Sequence, residues 1–425
     1  MGLKAQYTVK SGDRISRIAT KYQVTSQEII SANPSIFTPD RLKKASALIL
    51  DGTLNPGETL IYAGEVLNIP SGTIDNIIEN QTVTADKNDD LTIYLDGEKL
   101  PNPLDFEYTE YFDACSDSFS FSYPHETGIP YKLKIKPENF KSGLPSVRLY
   151  IGGESVLTGD VEIPGYKVST AGDVLSLAGR SKTYLLEKSD VFPDVQREFL
   201  KLDALQIAQI VCSPFGLSVV ADSAVGNPFE KVILEDNENA FSFLRRIASE
   251  RGLLVGKNSN GEVRLFKAIL APPVALFNID HSFIDFLGVD AFEFVYDTTK
   301  LFGQYVGKGT NIDDVSISES VPSSAITQNS VKIFDYQDAD TATIGVMTSW
   351  EEQKAIRGLY ANSIPYPSWI NPKTGKRWKA GQTITINCPA AMITNKVMLI
   401  NSIVFSYSGG KKIANLSIIP AETYA

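Results

Sequence analysis

The chain has 425 residues, 43% hydrophobic and 21% charged, with 50 acidic against 40 basic side chains and a net charge of −10. At about 150 residues per domain this predicts roughly three domains, each with enough apolar material for a core. No run of about 18 apolar residues is present, which argues against a spanning helix; no signal peptide is visible after Met1; and an acidic chain is a poor match for gripping a nucleic-acid backbone.

Residues 1–72 hold eight bases and six acids, a net of +2, and the remainder carries −12. A breaker cluster at Ile69-Pro70-Ser71-Gly72-Thr73 marks the boundary. Before it, Tyr7-Thr8-Val9-Lys10 reads as a strand and Asp13 as the cap of a helix carrying Ile15, Ile18, Ala19 and Tyr22. Thr25 and Glu28 are spaced as a capping box for a second helix with Ile29, Ile30 and Ala32, which Asn33-Pro34 ends. Residues 60–70 return as a strand, so the order is β-α-α-β.

Tyr7-x-Val9-x-x-Gly12-Asp13, Ile18-Ala19-x-x-Tyr22-x-Val24, Ile29-x-x-x-Asn33-Pro34 and Ile61-Tyr62-x-Gly64-x-x-Leu67-x-Ile69-Pro70 together resemble a LysM domain. The segment between Ser35 and Thr59 is longer than that pattern, with an apolar stretch at Ala45–Leu50. The resemblance implies that N-acetylglucosamine polymers lie in a groove between two loops. The matching loops hold Gly12, Asp13, Arg14 and Ile15, and Asn33, Pro34 and Ile36. Ile15 and Ile36 would then cover a sugar face. Two plainer readings stay open: these residues make only turns and caps, or the module docks on another protein.

Residues 73–89 read as a linker; Asp86–Asp90 resembles part of a calcium loop but lacks the later glycine and glutamate. From 90 to 200 the chain reads as β. Leu91–Leu100 is a hairpin around Asp96-Gly97, followed by strands at Phe119–Tyr123, Tyr131–Ile135, Val147–Ile151, Val156–Val161 and Val174–Gly179. Residues 201–283 form an α+β domain. Ala204, Ile207, Ala208, Val211 and Cys212 make one helical stripe, and Ala240, Phe241, Leu244, Ile247 and Ala248 a second. Strands at Leu253–Val255 and Val263–Phe266 flank the Asn258–Gly261 turn. From 284 to 425 β returns: strands at Ala291–Tyr296 and Gln304–Gly307, a polar loop over 309–345, then a helix opened by a Ser349-Trp350-Glu351-Glu352 capping box. Strands at Thr383–Ile386, Met398–Ile400, Ile403–Tyr407 and Leu416–Pro420 close the chain. The expected fold class is therefore multidomain α+β: a small β-α-α-β LysM domain, then two tube-like antiparallel β-barrel domains separated by a small α+β domain.

The chemistry is sparse. Cys115, Cys212 and Cys388 lie far apart, and His125 and His281 are isolated, so neither a disulfide framework nor a metal or Cys–His site is expected. There is no HExxH, GxSxG or GxxxxGK[ST]. No catalytic residue, metal or cofactor is assigned. Glu107, Glu110 and Asp113 are acids among aromatics; a glycosidase needs two carboxylates facing across a cleft, whereas an aromatic strand edge against a neighbouring subunit explains them more simply.

Four stretches in order resemble the baseplate hub proteins of contractile phage tails, the Mu-like or late-control D family. They are Leu177–Thr183; Leu205–Ala208 through Pro214–Leu217; Ala240–Leu254 with Asn260-Gly261; and Trp350–Arg357 with Trp378–Gln382 and the terminal strands. The resemblance spans residues 90–425. It implies a homotrimeric ring in which three chains present six similar β domains. Such a ring adapts a hexameric tail tube to a trimeric central spike. It implies a structural protein in the virion baseplate, assembled in the host cytoplasm, touching spike, tube and other baseplate proteins, and peptidoglycan through LysM. No specific nucleic-acid binding is expected. Two alternatives remain at this stage: a LysM-targeted cell-wall hydrolase, and a hub or spike component of a tailocin or type VI-like injection system.

Overall fold

The computed structural model describes residues 3–10, 13–15, 18, 26–38, 40–41, 43–44, 60–70, 89–124, 143–170, 172–236, 238–287, 294–310, 315–336, 341–359 and 362–424. Gly12, Thr25, Ala45–Leu50, Asp86, His125, the expected strand at Tyr131–Ile135 and Ala291–Glu293 lie outside them. The chain divides into two compact units, Met1–Asn80 and Gln81–Ala425.

In the first unit, β1 (Leu3–Thr8) pairs antiparallel with β2 (Val66–Pro70), Tyr7 opposite Leu67. Helix α1 (Ser26–Ala32) stops before Asn33-Pro34, where proline withholds the next amide donor. Val9, Ile15, Ile18, Ile29, Phe37 and Leu67 form the core. The returning strand is shorter than expected, because Tyr62–Glu65 make a turn with Gly64 at φ +93°.

The second unit is mostly β. It begins with β3 (Leu91–Leu95), β4 (Glu98–Lys99), β5 (Asp105–Tyr111), β6 (Ser118–Pro124), β7 (Ser146–Ile151), β8 (Glu154–Lys167) and β9 (Val174–Ser181). The α+β portion follows: β10 (Glu198–Leu202), α2 (Ala204–Cys212), β11 (Val219–Ala221), β12 (Phe229–Ile233), α3 (Ala240–Ser249), β13 (Leu254–Lys257) and β14 (Val263–Phe266). The remainder is β15 (Leu276–Asn278), α4 (His281–Leu287), β16 (Gln304–Thr310), β17 (Ser316–Pro322), β18 (Val331–Tyr336), α5 (Thr341–Leu359), β19 (Asn362–Tyr366), β20 (Ile370–Asn371), β21 (Lys376–Arg377), β22 (Thr383–Cys388), β23 (Ile393–Ser408) and β24 (Lys411–Pro420).

One 12-stranded sheet runs through both β regions in the order β15-β22-β23-β5-β6-β9-β8-β7-β3-β4, with β24 on β23 and β19 on β24. The join is β5 against β23, with Tyr108 opposite Phe405 and their rings stacked at 5.8 Å. Each half curls. Tyr108 on β5 donates its hydroxyl across the interior to the Val156 carbonyl on β8 (3.1 Å). In the other half, Phe277 on β15 stacks on Tyr366 of β19 at 6.0 Å, and both meet buried Trp378. The expected pair of separate barrels is thus one continuous, antiparallel-dominated sheet, unclosed among the described residues. β5 is an interior strand and not the aromatic edge expected, because its alternate buried side chains, Phe106 and Tyr108, need cover from both neighbours.

The α+β portion has its own core from Leu186 and Phe199 through both helices to Leu265. Asp203 caps α2 in a full capping box with Gln206, and Asn239 caps α3 through the Ser242 amide at 2.8 Å. All three cysteines are buried and free.

The stretch expected as a long loop at 309–345 is mostly ordered: β17, β16 and β18 form a sheet of their own, and α5 begins at Thr341. Alternation is present, with Ile317, Glu319 and Val321 half-buried, but serines between them mask the period. Gly307 lets the helix close in, since a Cβ there would lie 2.1 Å from Thr348 Oγ1. Ser349 and Glu352 sit mid-helix and do not open it; buried Glu352 accepts from the amide and hydroxyl of Ser324, both at 2.8 Å. Phe294–Tyr296 form no strand; Tyr296 instead donates its hydroxyl to the Ala391 carbonyl.

Candidate functional site: the N-terminal loops and the junction of the body

In the N-terminal unit the first loop is fixed by Asp13. Its carboxylate accepts from Tyr7 Oη and the Lys10 amide, both at 2.7 Å. Arg14 is exposed, and Ile15 is fully buried in the core. Ile15 therefore presents no side-chain surface to a sugar; the local fold spends it on packing. In the second loop, buried Asn33 donates to the carbonyls of Ile29 and Asn68 and accepts from the Asn68 amide, all at 2.7 Å. Its side chain clamps α1 to β2. Pro34 is exposed and Ile36 half-buried. Of the seven expected groove residues, Arg14, Pro34 and Ile36 offer accessible side chains, Asp13, Ile15 and Asn33 are structural, and Gly12 lies outside the described residues.

Sequence reasoning missed the clamp behind the second loop. Arg41 makes a two-pronged pair with Glu65 at 2.7 and 2.8 Å and donates to the carbonyls of Ile36 and Leu60. Its guanidinium lies 4.5 Å from the Tyr62 ring centroid. The Arg41 hydrogen bonds hold the Glu65 carboxyl below the usual carboxylate range.

In the body, two of the three acids considered for catalysis, Glu110 near the end of β5 and Asp113 in the connection to β6, lie within residues 110–117, whereas Glu107 is exposed on β5. Glu110 pairs with buried Arg377 of β21 and accepts from the Ala380 amide at 3.1 Å. Asp113 accepts from Tyr424 Oη at 2.6 Å and faces Arg357 of α5 at 3.7 Å. Phe112 meets Phe266 and Tyr424 edge-on, each at 5.3 Å. Asp117 pairs with Lys257 of β13 at 2.6 Å and accepts from the Tyr111 amide at 2.8 Å. Burial pushes the Asp117 carboxyl up, against the pull of Lys257. Glu107 and Glu110, three residues apart on a strand, point to opposite faces and cannot face one another across a cleft. The arrangement binds three regions of the chain together. Among the described residues no group of three or more His, Cys, Asp or Glu is placed to hold a metal ion, and no helix is long and apolar enough to cross a membrane.

Residues 191–267 match the family described as baseplate hub protein gp44-like, second domain, and residues 7–44 match the LysM domain. No curated protein matches. Among solved structures, the 43 kDa tail protein of prophage MuSo2 from Shewanella oneidensis is 23% identical, with a TM-score of 0.67; the match covers 79% of this chain and 100% of that one. The tail protein from Neisseria meningitidis MC58 is 16% identical with a TM-score of 0.66, over 79% of this chain and 98% of that one. The uncovered fifth corresponds in size to the N-terminal unit.

Proposed function

We propose that this chain, which carries a LysM domain and the second domain of a gp44-like baseplate hub, is a structural hub of a contractile tail or a related injection apparatus. Three copies close into a ring, and each contributes two tube-like β domains, residues 90–200 and 284–425, so that six similar walls meet a hexameric tube above and a trimeric spike below. The observation that carries the reading is the fusion of β5 to β23. It joins two curled half-sheets side by side in one chain, the duplication that a three-to-six adaptor requires. The tail-protein fold over nearly four fifths of the chain supports it. The N-terminal unit would touch peptidoglycan or another tail protein through its two loops. The protein would be assembled in the host cytoplasm and reside in the virion baseplate. Glu110 and Asp113, two of the acids open to a hydrolase reading, are engaged in holding the body together, which favours the structural role. Class averages of negatively stained protein test the proposal. Three-fold rings with a central hole are expected; irregular single-lobed particles oppose it.

A further inference from the structure

The α+β portion is bound to the 12-stranded sheet by side chains and not by strand pairing. Neither β10–β12 nor β11–β14–β13 shares a ladder with the large sheet. It has its own core and its own helix caps. The attachment is concentrated on the connection between β5 and β6. Lys257 reaches out of β13 with its side chain 4% exposed, and its ammonium binds Asp117, 7% exposed, and the Tyr111 carbonyl. Phe112 wedges against Phe266 of β14, and Cys115 enters the core of the α+β portion. The exit of the chain is of the opposite character. Residues 267–270 form neither helix nor strand, and Ile269 is 78% exposed.

We propose that Tyr111–Asp117 is a latch, and that the α+β portion is a preformed body that swings about its exposed exit when the Lys257–Asp117 contact is broken. The physical basis is the mismatch between the two cohesions. Inside the body, apolar residues from α2, α3, the short helix Leu185–Lys188 and five strands pack continuously. Across the join, the desolvated ion pair, the Phe112–Phe266 pair and the Cys115 plug are accompanied by Leu186, carried from β9 into the same core by the short helix Leu185–Lys188, and by the turn at Gly261, which abuts Lys182 and the Thr158 carbonyl. A buried charge left without its partner is strongly destabilising at the contact. A hub that must change its packing between free and assembled states would use such a two-state element.

The test is a distance distribution between spin labels in the full chain, at Glu230→Cys on β12 and Lys411→Cys on β24, both exposed positions. It is recorded with the native latch, with Lys257→Met, and with Lys257→Met/Asp117→Asn, which removes both charges. Hydrogen exchange at α2 and α3 is followed in parallel. The latch predicts one narrow distribution with Lys257. In Lys257→Met it predicts a second population, longer by about 5 Å or more and at least ~10% of molecules, with α2 and α3 as protected as before, and in Lys257→Met/Asp117→Asn, which leaves no unpaired charge, a smaller one. An unchanged distribution in Lys257→Met, or loss of α2 and α3 protection in both variants, would overturn it.

Discussion

Replacing Arg377 tests whether the junction is held by charge pairing. Its side chain is 7% exposed, that of Glu110 is 15% exposed, and the guanidinium also donates to the Trp378 carbonyl at 3.0 Å. Arg377→Met leaves Glu110 with one backbone donor, the Ala380 amide, and no counter-charge. Breaking one side of a buried pair costs about 3–5 kcal/mol, whereas replacing both sides costs far less. At a urea m-value of about 3 kcal/mol/M, Arg377→Met lowers the midpoint of the sheet transition by about 1 to 1.7 M. Glu110→Gln/Arg377→Met recovers about 2 kcal/mol or more of that loss, and the double-mutant cycle yields a coupling of the same order. The assay is urea unfolding followed by tryptophan fluorescence, since Trp369 and Trp378 are fully buried in this sheet system. Single variants within about 1 kcal/mol of wild type, or effects that simply add, would refute the reasoning.

Three further expectations follow from other sites. Gly381 sits at φ +87°, and a Cβ there would lie 2.6 Å from the Phe112 ring, so Gly381→Ala lowers stability by about 2–4 kcal/mol, read as a depressed thermal midpoint. The Glu65 carboxyl is held down by Arg41, so its contribution is present above the unfolded carboxylate value of ~4.3 and is lost as pH falls through the lower folded value. Wild-type β1 amides should therefore lose protection on acidification, and Glu65→Gln should flatten that dependence. Burial pushes Glu250 up to about 7, despite Arg246 and Arg251 and with Glu238 adding repulsion. A raised acid contributes nothing below ~4.3, where it is protonated in both states, and disfavours the fold increasingly up to about 7, so Glu250→Gln is neutral near pH 4 and stabilises by about 2–3 kcal/mol at pH 8 in denaturant titrations.

Local chemistry made much of the fold legible. The apolar stripe of α2, the Asp96-Gly97 hairpin and the period-two run at Phe119–Tyr123 recur where their spacing placed them, and that of α3 does so except that Phe243 takes the buried place expected of Phe241. What stayed hidden was long-range or disguised. The β5–β23 ladder joins residues almost 300 positions apart, and no local signal selects that partner. β17 alternates, but its serines and inward Glu319 read as a loop. At the candidate sites the acids stood out, whereas nothing in the sequence marks Arg377, Arg357 and Lys257 as their partners, and only the fold brings them to residues 110–117. Ile15 shows the converse, since a conspicuous loop residue proves to be a core residue.

The most direct test of the central claim is the mass of the purified chain in solution by light scattering. One chain is 46.5 kDa. A hub that closes on itself gives a species of about 140 kDa, three times that mass, unchanged on dilution over a tenfold range. A single species at the mass of one chain, at every concentration and with its tube and spike partners present, would contradict the ring.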